Sequence, residues 1–170
     1  MSDQEEGPYA DYAEPEERPP FAAYATFALV FNGALAGAVA TAKRSGRDLP
    51  ERVELQDLAL IGAASYKLSR LVAKKKITSF VRAPFTELQG KGAPAELEEK
   101  ARGRGLRRAV GELLVCPYCL GLWASGAFHV GLLFAPRATR FSASVLSAMT
   151  ISDFLQIANR VAEAWVRSDA

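Results

Sequence analysis

The run from Phe21 to Ala42 holds 22 residues without one charged side chain. As a helix it is about 33 Å long, close to the thickness of the hydrocarbon core of a bilayer. It constrains the chain more than any other feature, because a stretch so long and so uniformly apolar has no polar stripe to turn toward water. A signal peptide is the competing reading, but the flank before the run is acidic, the run is longer than an h-region, and no clear cleavage site follows. Asn32 is its only strongly polar side chain, and Gly33 and Gly37 have the small-xxx-small spacing that lets membrane helices pack closely.

The averages hide this segregation: a net charge of +2 and 49% hydrophobic residues would suit an ordinary soluble chain. Residues 1–20 carry seven acidic residues, one arginine and four prolines, and such a composition cannot bury enough surface to order itself. A disordered acidic tail is expected there, followed by a transmembrane helix over 21–42. Residues 53–73 read as a second span, with Glu54 and Asp57 near one end and Lys67 and Arg70 near the other, or alternatively as a helix lying on the surface. A third span is expected over 116–135, stopping at Pro136, and a fourth, serine-rich and carrying Asp153, over 141–160, before a tail at 161–170. The expected fold is therefore an all-α polytopic membrane protein with four transmembrane helices, or three if 53–73 does not cross.

The segment 74–115 is the polar exception. Between 74 and 112 it holds ten basic residues against five acidic ones, which places it in the cytoplasm by the positive-inside rule. The chain is then a multi-pass protein of the bacterial cytoplasmic (inner) membrane, with both termini inside if it crosses four times. Gly90 to Pro94 is a breaker cluster, and Ala95 to Arg102 has a helical composition, acidic at its start and basic at its end. Leu106, Ala109, Val110, Leu113 and Leu114 recur at helical spacing and predict an amphipathic helix on the inner membrane face. Anionic lipid or a cytoplasmic protein would suit that basic surface. Nucleic acid is not expected, because neither interleaved aromatics nor a groove-reading motif accompanies the charges.

The two cysteines of the chain fall in Cys116-Pro117-Tyr118-Cys119, at the start of the third span. Cys116 is placed to cap the helix, with Pro117 in the first helical position, where its missing N–H costs nothing. Free N–H groups and the positive end of the helix dipole then favour thiolates, and Arg107 and Arg108 can add to that field. Three uses follow. A thiol exchange site would use Cys116 and Cys119 as its catalytic pair, although the apolar residues that follow rule out a soluble glutaredoxin and the cytoplasmic face is reducing. A zinc site needs four ligands, so two chains would have to pool their thiolates in a homodimer. Otherwise the cysteines are small packing residues beside Trp123 and the amphipathic helix. His129 lies too far along the helix to join them; with Asn32 and Asp153 it is a candidate intramembrane polar residue. Asp57 and Asp153 could pair with Lys67, Arg70 or each other inside the bundle. Tyr118 and Trp123 are placed as interface anchors.

The residues Tyr66 to Leu71, Ile77, Arg82, Ala83-Pro84-Phe85, Gly111-Glu112-Leu113-Leu114 and Cys116 to Trp123 together resemble the bacterial membrane proteins catalogued as domain of unknown function 1360, which include sporulation-annotated members. The resemblance covers about residues 57–160, with Arg70, Arg82, Glu112, Cys116, Pro117, Cys119, Gly121 and Trp123 carrying the pattern. Where the family often has an acidic residue before Ile77, this chain has Lys76. Membership implies a multi-spanning membrane protein without an established reaction. Three classes of function remain: a non-enzymatic scaffold or assembly factor, a membrane thiol-disulfide oxidoreductase, and a small transporter or channel component.

Overall fold

A computed structural model describes residues 12–14 and 18–168. Most of the expected acidic tail, residues 1–11 and 15–17, lies outside the described set, as do residues 169–170. Helix α1 (Phe21–Arg44) starts directly after Pro19-Pro20 and ends with Lys43 and Arg44 in its last turn, where cations suit the dipole. Then come α2 (Leu55–Lys74), a 3₁₀ turn (Lys76–Thr78), α3 (Ser79–Arg82), β1 (Thr86–Lys91), β2 (Leu97–Ala101), α4 (Gly105–Val115), α5 (Pro117–Phe134) and α6 (Pro136–Ser168).

Two expectations need correction. The fold is not all-α, because β1 and β2 pair as an antiparallel hairpin, and the stretch expected to be a helix from Ala95 to Arg102 contains the second strand. Its residues alternate between half-buried and exposed at the period of a strand, and Glu96, Glu98 and Glu99 are drawn to cations on α2 and α3, beyond the reach of any local signal. The last helix is also longer than expected. It begins at Pro136, so that Ala135 alone joins it to α5, and it continues through most of the expected tail to Ser168.

Directions of packing follow from the contacts. Asp57 meets Arg140, Leu60 meets Ser147, Ala63 meets Thr150 and Lys67 meets Asp153, so α2 and α6 run parallel. Helix α5 turns back tightly into α6 and is antiparallel to both. Phe31 stacks edge-on against Trp123 at 5.3 Å, and Arg47 donates to the carbonyls of Leu133 and Phe134, so α1 runs parallel to α5. The four long helices thus alternate in direction, and the hairpin and α4 sit at one end, between α2 and α5. Within the chain α1 packs through Phe31 and Leu35, for which Gly126 leaves room. Gly33 and Gly37, expected as a packing face, have nothing near them.

Helices α1, α5 and α6 are long and apolar enough to cross a membrane. Helix α2 is not among them, because Asp57, Lys67, Arg70 and Lys74 interrupt it. It nevertheless lies against both α5 and α6.

Candidate functional site: the CPYC helix start and the joint beside it

Cys116 has an extended backbone conformation (φ −97°, ψ 102°) between α4 and α5, and its Sγ accepts from the Cys119 N–H at 3.2 Å. Pro117 follows in the first position of α5, as the capping pattern predicts. Both thiols are free; Cys116 is half-buried and Cys119 exposed on the bundle surface. Neither arginine expected to strengthen the field at the thiols is directed to that task. Arg107 donates to the Pro84 carbonyl at 2.7 and 3.1 Å, and Arg108 donates to Glu112 at 2.9 Å.

The other candidates divide clearly. His129 contacts the Ser125 carbonyl of its own helix at 2.8 Å, and Asn32 donates to the Ala28 carbonyl of its own helix at 2.8 Å. Asp153 pairs with Lys67 across helices at 2.6 Å, as the sequence allowed. Trp123 packs edge-on against Phe31, and Tyr118 is exposed. Gly121 faces α2 close to Ser69. Among the described residues no three His, Cys, Asp or Glu side chains are grouped as a metal would require.

The polar pattern residues outside the cysteines converge on the hairpin. Arg82 is completely buried (0% exposed) and binds both carboxylate oxygens of Glu99, the carbonyls of Val72 and Lys75, and the Thr78 hydroxyl. It therefore joins the end of α2 to strand β2 through one planar group, a task that suits the fixed fork of a guanidinium. Arg70 binds Glu96 at 2.8 Å, Lys75 binds the same carboxylate at 3.2 Å, and Lys74 reaches Glu98 at 3.2 Å. Burial pushes the Glu96 carboxyl up, but the hydrogen bonds from Arg70 and Lys75 outweigh that and hold it below the ordinary glutamate value. Glu112 accepts from both Arg108 and Tyr24, tying α4 to α1.

Gly111 completes the joint. A Cβ there would lie 2.5 Å from the Phe85 carbonyl oxygen and 2.9 Å from the Ala101 Cβ, so only glycine lets α4 rest on the hairpin. The partners Glu96, Glu99, Thr78 and Thr86 were not singled out from the sequence. The one available signal was Gly90 to Pro94, a turn cluster between two segments of similar length, which is how a hairpin reads.

Comparison with known proteins places these residues in a wider group. A family model described as "Protein of unknown function (DUF1360)" matches residues 60–159, from within α2 to within α6. Sporulation protein YjcA of Bacillus subtilis (strain 168) is 26% identical over 102 residues, which cover 58% of this chain and 86% of YjcA. UPF0713 protein YngL of the same organism is 30% identical over 88 residues, covering 51% of this chain and 65% of YngL. No solved structure matches.

Proposed function

Because this chain belongs to the DUF1360 family, we propose that it is a non-enzymatic multi-pass protein of the bacterial cytoplasmic membrane, acting as a scaffold or assembly factor. One observation carries this reading: Arg70, Arg82, Gly111 and Glu112 of the family pattern all hold the hairpin and α4 against the ends of α1 and α2. A pattern devoted to such a joint maintains the shape of a surface. A sporulation role, named for the YjcA relative, is one setting in which a membrane scaffold would work.

In this reading α2 crosses the membrane with α1, α5 and α6. Its 20 residues give a helix about 30 Å long, matching the bilayer core. Its Asp57 and Lys67 have opposite charges beside them on α6, which lowers the cost of carrying charge across. The hairpin end, with the ten basic residues of 74–112, faces the cytoplasm together with both termini. Anionic lipid and a cytoplasmic protein are the partners this face suits.

The capped cysteine pair favours a second reading, a membrane oxidoreductase using Cys116 and Cys119, and a zinc ion shared by two chains would use the same thiols. Rapid alkylation of thiols in intact cells, with metal content measured on anaerobically purified protein, separates the three. The scaffold reading expects reduced thiols, no stoichiometric metal, and a Cys116→Ser/Cys119→Ser variant that still inserts and assembles. A pair that cycles between dithiol and disulfide overturns it in favour of exchange, and half an equivalent of zinc per chain overturns it in favour of a metal-bridged dimer. A topology reporter at residue 92 should give a cytoplasmic signal; a signal from the other side refutes the orientation.

A further inference from the structure

The short turn that follows α2 is built inside out. Between the exposed Lys76 and Arg82, two polar side chains are turned inward: Thr78 donates to the Lys75 carbonyl at 2.9 Å, and Arg82, four residues on, is fully enclosed. The apolar ones face outward, Ile77 at 77%, Phe80 at 74% and Val81 at 41% exposed, and their spacing of three and four residues puts them on one side. Ala83 and Pro84 extend the same exposed surface. A water-facing turn would be expected to have the opposite polarity, since burying a guanidinium while exposing isoleucine and phenylalanine is costly on both counts.

We propose that this elbow is embedded in the membrane surface, with Ile77, Phe80 and Val81 entering the boundary between acyl chains and headgroups of an anionic leaflet. The position fits: the elbow starts two residues after α2 ends, so it lies where a spanning α2 leaves the hydrocarbon core. The charges at its rim fit as well. Lys76 is exposed beside Ile77, Arg102 donates to the Ala83 carbonyl at 3.1 Å, and Arg107 donates to the Pro84 carbonyl, which sets three exposed cations around the apolar residues. An apolar wedge bordered by lysine and arginine is the arrangement by which monotopic segments hold anionic lipid. The carbonyls of Ala83 and Pro84 are satisfied by those same arginines, which lowers the cost of placing that part of the backbone at this depth. The proposal rests on the membrane reading above and makes the elbow a fixed depth marker for the hairpin that follows it.

The test uses the full chain in vesicles of phosphatidylethanolamine and phosphatidylglycerol. Nitroxide labels are placed singly by Leu29→Cys, Ile77→Cys, Phe80→Cys and Glu87→Cys in a Cys116→Ser/Cys119→Ser background, and their collisions with oxygen and with a water-soluble nickel chelate are compared. Oxygen should dominate at 29, 77 and 80, and nickel at 87. A lipid signal at 29 with nickel dominant at 77 and 80 overturns the elbow proposal alone, whereas a water signal at 29 overturns the membrane reading. Replacing phosphatidylglycerol by phosphatidylcholine should move label 80 toward water, and an unchanged depth refutes the role given to the cationic rim. Benzoylphenylalanine at position 80 of the otherwise native chain provides the check that needs no cysteine removal. A lipid adduct supports the proposal; an adduct to a second copy or to another protein refutes it.

Discussion

Replacing Arg82 by methionine should release the hairpin from the end of α2. The wild-type guanidinium meets five acceptor atoms, two of them on Glu99, a carboxylate whose side chain is itself only 6% exposed. In Arg82→Met the Glu99 charge stays buried, with a Thr86 hydroxyl at 3.4 Å as its remaining donor from this cluster, and the Val72 and Lys75 carbonyls lose their shared donor. Removing one partner of a buried pair costs about 3–5 kcal/mol, against at most about 1 kcal/mol for an exposed pair such as Arg167–Glu163. Every 1.4 kcal/mol is about tenfold, so hairpin opening should increase on the order of a hundredfold or more. Trypsin reads this on the protein in lipid nanodiscs, because Lys91 and Lys100 lie in or beside paired strand backbone and cleavage follows the open population when reclosing is fast. The double variant Arg82→Met/Glu99→Leu should recover most of the loss, since paired apolar replacement removes the stranded charge. If Arg82→Met accelerates cleavage no more than Arg167→Met does, or if the double variant is as labile as the single, the joint is not held by this pair.

Other perturbations bear on the same joint and on the helix start. Gly111→Ala drives a methyl into the Phe85 carbonyl and Ala101, and should cost about 1–3 kcal/mol in the trypsin assay, whereas Gly33→Ala and Gly37→Ala, with open space around them, should leave cleavage unchanged. Cys116→Ser retains an acceptor for the Cys119 N–H, while Cys116→Ala loses it, so thermal melting in detergent should show Ala about 1 kcal/mol below Ser. Glu96 has its pKa lowered in the folded state, so its contribution is present above the unfolded value near 4.3 and disappears as pH falls through the folded one. Hairpin opening, followed by amide exchange of residues 86–101, should therefore rise as pH is taken below about 4, and Glu96→Gln should flatten that part of the dependence.

What could be read from the sequence was local. The charge-free run of α1, the proline at the first position of α5 and the helical spacing of Leu106, Ala109, Val110 and Leu113 all reside in neighbouring residues, and all appear as expected. Strand β2 was not legible for the opposite reason. Glu96, Glu98, Glu99 and Lys100 satisfy the charge preference of a helix at short range, while Arg70, Lys74 and Arg82, which pair with the three glutamates, lie 26, 24 and 17 residues away from them. The hydroxyls of the serine-rich last helix bond across to a neighbour: Ser147 donates to the Leu60 carbonyl and Thr150 to the Ala63 carbonyl. At the cysteines the sequence located the cap but misdirected Arg107 and Arg108, because the competing acceptors, Pro84 and Glu112, become visible only once the hairpin is folded beneath α4.

The charges on α2 also account for the direction of its partner. Asp57 near one end meets Arg140, and Lys67, ten residues on, meets Asp153. The two pairs have opposite polarity, so reversing α6 would bring Asp57 toward Asp153 and Lys67 toward Arg140, two like-charge encounters. Parallel packing therefore does not depend on the shape of the apolar surfaces alone; it is the arrangement in which Asp57 and Lys67 both find a counter-charge on α6. In the four-crossing arrangement proposed above, the same pairs would let α2, which falls short as an apolar span, lie against α5 and α6, since a helix can carry an acid and a base through a low-dielectric layer when a neighbour offers the complementary pair in register.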